Sequence, residues 1–320
     1  MSPNGSDRSP RRPMRRKLLQ ALTAGLVLAT ATGCTTWRDF PRLGMPTPTT
    51  EEAERTLFLW QGTWASALAV GVLVWGLILW SAFYHRRSRT KVEVPPQTRY
   101  NMPLEALYTV VPLIIVSVFF YFTARDEAKL LETADKPDVT VNVVGYQWSW
   151  GFNYIEDVPG VTGDAKTDKA LDAIPEKFRE AFPDNAGGVN DFGIPATRNE
   201  QTGNPGPTLW LPKGQKVRFV LTSRDVIHSF WTLPFLMKQD VIPGHTNVFE
   251  VTPNEEGTFR GKCAELCGVD HSRMLFNVKV VSPERYEQHL KDLAEKGQTG
   301  YVPAGIAQTS HEKNRETNVL

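Results

Sequence analysis

Hydrophobic positions along the chain follow two different patterns. Leu57 to Tyr84 is predominantly apolar, includes Trp60, Trp64, Trp75 and Trp80, and carries no charge. Leu104 to Ala124 repeats the pattern, with Glu105 near its start and Pro112 inside it. Roughly 20 such residues cross a bilayer core, so both runs predict membrane-spanning helices, paired as a hairpin. The basic cluster His85-Arg-Arg-Ser-Arg-Thr-Lys91 between them places the connecting loop in the cytoplasm, and everything after the second run outside. Beyond Lys136-Pro137 the period drops to two. Val139–Val144, Val217–Thr222, Thr246–Thr252 and Leu275–Val281 read as short strands separated by Gly and Pro, the mark of an all-β sandwich.

The two ends complete the plan. Arg11-Arg-Pro-Met-Arg-Arg-Lys17, the apolar run Leu18–Ala29 and the small residues before Cys34 make a secretory signal, which agrees with an exported sandwich. Ala31-Thr-Gly-Cys34 is similar to a bacterial lipoprotein cleavage site, with Ala31 departing from the usual aliphatic residue and Cys34 as the lipidated position. The expected organisation is a signal peptide over 1–33, an exported linker over 34–56, helices over 57–84 and 104–124 joined by a cytoplasmic loop over 85–103, and an exported domain over 125–282. Pro283 to Lys296 reads as a helix, followed by a polar tail without structure to 320. A segment over 155–207, rich in Gly, Asp, Asn and Pro, is more than a sandwich requires. It carries Asp157, Asp164, Asp168, Asp172, Glu176, Glu180, Asp184 and Asp191.

The net charge of +1 over 320 residues hides this local asymmetry and argues against a nucleic-acid partner. Of the three cysteines, two lie in one loop, Cys263-Ala-Glu-Leu-Cys267-Gly-Val-Asp-His271-Ser-Arg-Met274. Two thiols, an imidazole and a thioether are donors that select copper over magnesium or calcium. One blue-copper ion needs a single thiolate, whereas two cysteines four apart can place both sulfurs between a pair of ions. Each ion then needs its own imidazole. His271 supplies one, and His228, after the run Val217–Thr222, is the best source of the other. A Cys263–Cys267 disulfide or a structural zinc site remains open at this point, although neither gives Met274 a role.

Cys-x-Glu-x-Cys-Gly-x-x-His-x-x-Met with an upstream His-Ser resembles the binuclear copper A motif of cytochrome c oxidase subunit II. The resemblance implies a cupredoxin-like Greek-key sandwich. It implies copper ligands at His228, Cys263, Cys267, His271 and Met274, with the Glu265 carbonyl as the remaining one and the Glu265 carboxylate on a magnesium shared with subunit I. It also implies that Trp148, in Gly145-Tyr-Gln-Trp148-Ser-Trp, receives the electron, and that Glu105 lies near the entrance of a proton pathway. Haem would reside only in the partner subunit, where oxygen is reduced to water with proton pumping. Expected partners are subunits I and III and, as donor, a c-type cytochrome or a cytochrome bc complex bearing c haems, all at a bacterial cell membrane. The 155–207 segment is similar to that of actinobacterial members and would dock the donor. His245 stands where the family's Asp-x-x-Pro-Gly-Arg-x-Asn turn has arginine, which suggests a supporting role rather than a ligand.

Rival readings are a copper-free structural subunit II of a quinol oxidase, against which the intact donor set argues, and a nitrous oxide reductase, for whose propeller there is no room. A membrane copper chaperone is a third, and it would need neither Glu265 nor the aromatic element.

Overall fold

The computed structural model describes residues 20, 22–23, 40–91, 94, 96–184, 186–193 and 206–305. The chain divides into two compact units, 1–45 and 46–320. In the first, the described residues are Gln20, Leu22 and Thr23, which are helical, and the stretch 40–45 with a 3-10 turn at Phe40–Arg42. Most of the expected leader, Cys34 and the tail from 306 lie outside the described residues.

The second unit opens with α1 (Glu51–Tyr84), which starts upstream of the apolar run. Thr50 accepts a hydrogen bond from the Ala53 N–H at 3.1 Å, and Glu51, Glu52 and Glu54 fill the first turn, where the helix dipole favours acids. The second long helix, α2 (Met102–Leu130), is capped by Asn101, whose own N–H is accepted by the Glu105 carboxylate at 2.9 Å. At about 1.5 Å per residue both helices exceed a bilayer core of about 30 Å. Their apolar windows are not buried within the protein, so Trp75, Trp80, Leu113 and Phe120 face outward. Asp126, buried near the end of α2, pairs with Arg125 at 2.9 Å and with Arg55 of α1 at 3.4 Å, tying the helices together.

The sandwich has ten described strands: β1 (Val139–Tyr146), β2 (Ser149–Tyr154), β3 (Val189–Phe192), β4 (Thr208–Pro212), β5 (Val217–Ser223), β6 (His228–Thr232), β7 (Met237–Val241), β8 (Asn247–Val251), β9 (Gly257–Cys263) and β10 (Leu275–Val281). They form two sheets, in orders β3-β2-β1-β5-β8 and β4-β10-β9-β6-β7. Among the described strands β1 runs parallel to β5 and β10 parallel to β4, and the other pairings are antiparallel. Such crossed connections between two facing sheets are the Greek-key arrangement of a cupredoxin-like domain. Trp150, Phe152, Phe219, Phe230, Phe249 and Phe276 fill the space between the sheets, with Phe230 and Phe276 stacked at 4.8 Å.

Backbone contacts strap the anchor to this sandwich. The Glu51 N–H donates to the Thr252 carbonyl at 3.1 Å, and the Glu52 carboxylate accepts from the Thr252 N–H at 2.8 Å. After α2, Ala134 is held from both sides: its N–H donates to Glu250 at 3.0 Å and its carbonyl accepts from Arg218. Arg218 and Glu250 are themselves a buried ion pair at 2.8 Å.

The segment over 155–207 adds structure of its own. β3 extends one sheet, and Ala165, Leu171, Ile174, Phe182 and Ala186 pack on Val144, Ile155 and Val220 to cover its outer face. Its charged residues therefore decorate a small second core. The last helix, α3 (Pro283–Glu295), is capped by Ser282 and buries Tyr286, His289, Leu290 and Leu293, with His289 stacked on Trp210 at 4.2 Å.

Candidate metal centre

Two chain segments meet at one end of the sandwich. β6 begins at His228, and β9 ends at Cys263, from which a loop returns to β10 through Met274. Pairing of β6 with β9 places Phe230 opposite Cys263, and the Ala264 N–H donates to the Ser229 carbonyl at 3.0 Å, so the loop leaves the sheet beside His228. The Cys263 N–H donates to the Met274 carbonyl at 3.0 Å and closes the loop at its base. Backbone pairing thus brings together donors that are thirty-five residues apart in sequence, as the Cys263–His228 contact records.

The donor atoms converge. The Cys263 and Cys267 sulfurs lie 3.9 Å apart. His228 Nδ1 is 4.0 Å from Cys263 Sγ, and His271 Nδ1 is 3.5 Å from Cys267 Sγ. Met274 Sδ lies 3.7 Å from Cys267 Sγ, and the Glu265 carbonyl is 3.2 Å from Cys263 Sγ. Each imidazole therefore faces one thiol, with one weaker donor at either side. His228, Cys263 and Cys267 form a buried group of the size that holds a metal ion. The Glu265 side chain is exposed, and no described residue is recorded as holding its carboxylate.

Electrostatics distinguish the two thiols. Burial works against ionising Cys263, yet hydrogen bonds with His228 and with the backbone of Glu265 and Ser229 bring its pKa below the ordinary value. Cys267 is pushed up to about 12, first by burial and then by the neighbouring Cys263. The surroundings thus favour ionisation of Cys263 and oppose that of Cys267. Thiolates are the metal-binding form, so filling both positions requires compensating positive charge, which a cation provides. Softness of the set, two sulfurs with imidazoles and a thioether, fits copper.

A second layer of contacts surrounds the donors. Trp148 Nε1 donates to the Cys267 carbonyl at 3.1 Å, and Gln147 Nε2 donates to the same oxygen at 2.8 Å. Gly268, at φ +122°, makes this approach possible, because a Cβ there would lie 3.0 Å from Trp148 Nε1. Trp150 is buried below, its Nε1 donating to the Met274 carbonyl at 3.3 Å and its ring centroid 6.1 Å from that of His228. Val226, Ile227, Leu266 and Val269, which flank the donors in sequence, are exposed large apolar side chains around the centre.

The remaining sequence-predicted positions lie apart from this cluster. Glu105 is in the first turn of α2, at the opposite end of that helix from the sandwich, and Cys34 is outside the described residues. His245 is exposed in the Ile242–His245 turn. Sequence reasoning passed over Asp225, whose Oδ1 lies 2.8 Å from His228 Nε2 and whose Oδ2 accepts from the Gln147 N–H at 2.6 Å. An acid three residues before a candidate ligand histidine was the available signal. The carboxylate's pKa is set by burial, which raises it, and by the hydrogen bonds with His228, Gln147 and Val226, which together bring it below the ordinary value.

Residues 202–281 match the family model described as cytochrome C oxidase subunit II, periplasmic domain. Over the full length of both chains, the sequence is 85% identical to a probable cytochrome c oxidase subunit 2 of Streptomyces avermitilis and 83% identical to its namesake in Streptomyces coelicolor. It is 36% identical to the cytochrome c oxidase subunit 2 of Mycobacterium tuberculosis, over 91% of this chain and 89% of that one.

Proposed function

The chain belongs to the cytochrome c oxidase subunit II family, and from this premise we propose that its metal centre is a binuclear copper A site receiving single electrons from a c-type cytochrome. As a subunit of that oxidoreductase complex it partners subunit I, and it is membrane-anchored with an extracytoplasmic domain. The observation that carries the copper reading is the pairing of donors: two sulfurs 3.9 Å apart, with one imidazole nitrogen facing each of them. A structural zinc site would leave Met274, buried against Cys267, without a role. When bound, the copper pair shares one electron between two ions, which keeps reorganisation small.

The protein's own groups hold and insulate that site. In this reading Cys263, Cys267, His228, His271 and Met274, with the Glu265 carbonyl, would hold the copper pair. Trp148 receives the electron, since its ring is hydrogen-bonded to the backbone of Cys267. The exposed Glu265 carboxylate is available to a magnesium shared with subunit I, whose haem would take the electron onward to oxygen. Subunit III would complete the core of the complex. A donor, either a c-type cytochrome or a cytochrome bc complex with c haems, would meet the acidic segment over 155–207. Glu105 would stand at a proton pathway on the cytoplasmic side of a bacterial cell membrane, and Cys34 would carry lipid.

Copper content and electron paramagnetic resonance of the full chain in detergent test the central reading. The expected result is two coppers per chain and a seven-line mixed-valence signal. One copper, zinc, or an oxidised Cys263–Cys267 pair would overturn it in favour of a copper-free structural subunit.

A further inference from the structure

Asp225 is the point where two parts of the centre are tied to each other. Its side chain is only 23% exposed, and three groups converge on it. Oδ1 accepts from the Val226 N–H at 2.7 Å and faces His228 Nε2 at 2.8 Å. Oδ2 accepts from the Gln147 N–H at 2.6 Å. An ionised carboxylate only accepts, so the proton of a neutral His228 ring must sit on Nε2. Nδ1, the nitrogen that faces Cys263, is then bare and able to bind a metal.

The same carboxylate reaches the aromatic element. Gln147 is held at its backbone by Asp225 and donates through its side chain to the Cys267 carbonyl, which Trp148 also engages. The contacts run in a chain from His228 through Asp225 and Gln147 to the Cys267 carbonyl. Gly145 lies against the His228 ring, where a Cβ would come within 3.0 Å of it, so the glycine leaves the ring its room beside β1. The bond to Asp225 then sets the ring's orientation.

We propose that Asp225 is a positioning residue for electron transfer: it selects the metal-binding tautomer of His228 and locks the Gln147–Trp148 loop in register with Cys267. This rests on the copper reading above. A carboxylate behind a ligand imidazole is a recurrent way to fix ring orientation and ligand strength, and its loss costs about tenfold to a hundredfold in metal affinity or activity. Here one side chain would serve both the ligand and the electron's point of arrival.

The test uses the assembled oxidase with Asp225→Asn, which keeps one acceptor oxygen but turns an amide NH2 toward one of the donating groups, and Asp225→Glu, which can still accept with both oxygens. Copper content, the mixed-valence spectrum and single-turnover electron uptake are measured for each. Asp225→Asn should alter the copper spectrum and slow uptake about tenfold or more, with Asp225→Glu recovering part of both. Copper loss in Asp225→Asn that Asp225→Glu reverses supports the same role. An unchanged spectrum with only a higher KM for the donor overturns it and makes Asp225 a docking charge. Equal copper loss in both variants also overturns it, because the acceptor would then be irrelevant. A wild-type complex lacking the mixed-valence signal removes the copper reading and the inference with it, whereas a normal wild type beside a normal variant sinks the inference alone.

Discussion

Trp148 and Cys267 are joined directly: the indole Nε1–H donates to the cysteine's carbonyl oxygen at 3.1 Å. A side chain bonded to the backbone of a candidate ligand would give an electron a short route from the surface to the centre. Trp148→Leu should therefore leave the copper spectrum intact and slow oxidation of the reduced donor by at least about tenfold, about 1.4 kcal/mol in the barrier. Stopped-flow mixing with reduced donor checks it. An undiminished rate would mean that electrons arrive elsewhere.

The two thiols respond unequally to their surroundings, Cys263 downward and Cys267 up to about 12. In the copper reading the bound cations offset the burial that opposes ionising both thiols, so copper should stabilise the folded domain. A free-ion concentration a thousandfold above Kd contributes about 4 kcal/mol. Copper removal by a chelator should lower Tm accordingly, and Cys267→Ser should abolish both the two-copper stoichiometry and the chelator-sensitive part of Tm. Calorimetry with metal analysis reads both. A Tm indifferent to chelator would place no metal at this site.

The clustering of the Cys263–Met274 donors was legible because they are close in sequence and chemically rare. His228 was legible through the strand before it. Asp225 and Gln147 were not, since an aspartate in a turn commonly bonds its own backbone, and the bond to Gln147 joins residues 78 positions apart in sequence. The strands show the same divide. β1, β5, β8 and β10 bury alternate or continuous β-branched residues and were read directly. β9 was hidden, because Gly-Thr-Phe-Arg-Gly-Lys-Cys turns Arg260 outward and uses Gly261 to admit the Phe276 ring, leaving little apolar pattern. The acidic segment looked like a loop because its apolar residues, Leu171, Ile174 and Phe182, are too sparse to show a period, although together they build a second core.

Arg218 and Glu250 are paired in the buried layer where the chain passes from α2 to β1, and both also bond Ala134. Removing one partner leaves the other charge buried and alone. Glu250→Ala should cost about 3–5 kcal/mol, while replacing both residues by apolar ones of similar volume should cost markedly less. Urea titration of the single and double variants measures the difference. Additive losses would show that the pair is not a unit.

Glu156 Oε1 is buried with no hydrogen-bond partner among the described residues, and burial raises the carboxyl from an ordinary 4.5 to about 8, with a backbone bond to Thr140 partly opposing. Between those values the unfolded chain has released the proton and the folded one keeps it. Stability therefore falls as pH rises through this window, by up to about 1.4 kcal/mol per pH unit, and levels off above about 8. Glu156→Gln should remove that slope, so its advantage over the wild type grows from pH 5 to pH 8. Denaturation midpoints across that range test it, and a constant difference would contradict it.

The segment over 155–207 offers the donor-docking idea a sharper test than deletion does. Deleting it would strip the cover from Val144 and Val220 and expose a sheet face, so lost turnover would say nothing about docking. Glu176 and Glu180 are exposed on or beside a single helical turn and have no described ion pair, unlike Asp184, which holds Lys166 at 2.6 Å. Reversing both to lysine leaves that second core untouched. If the acids attract a basic donor, the double variant should raise KM several-fold at low salt, with the gap closing as ionic strength rises to about 0.15 M and beyond, where the screening length shrinks to about 8 Å. Steady-state donor oxidation across a salt series reads this directly. A KM equal to the wild type's at every salt concentration would assign the segment a purely structural part, as the cover of its sheet.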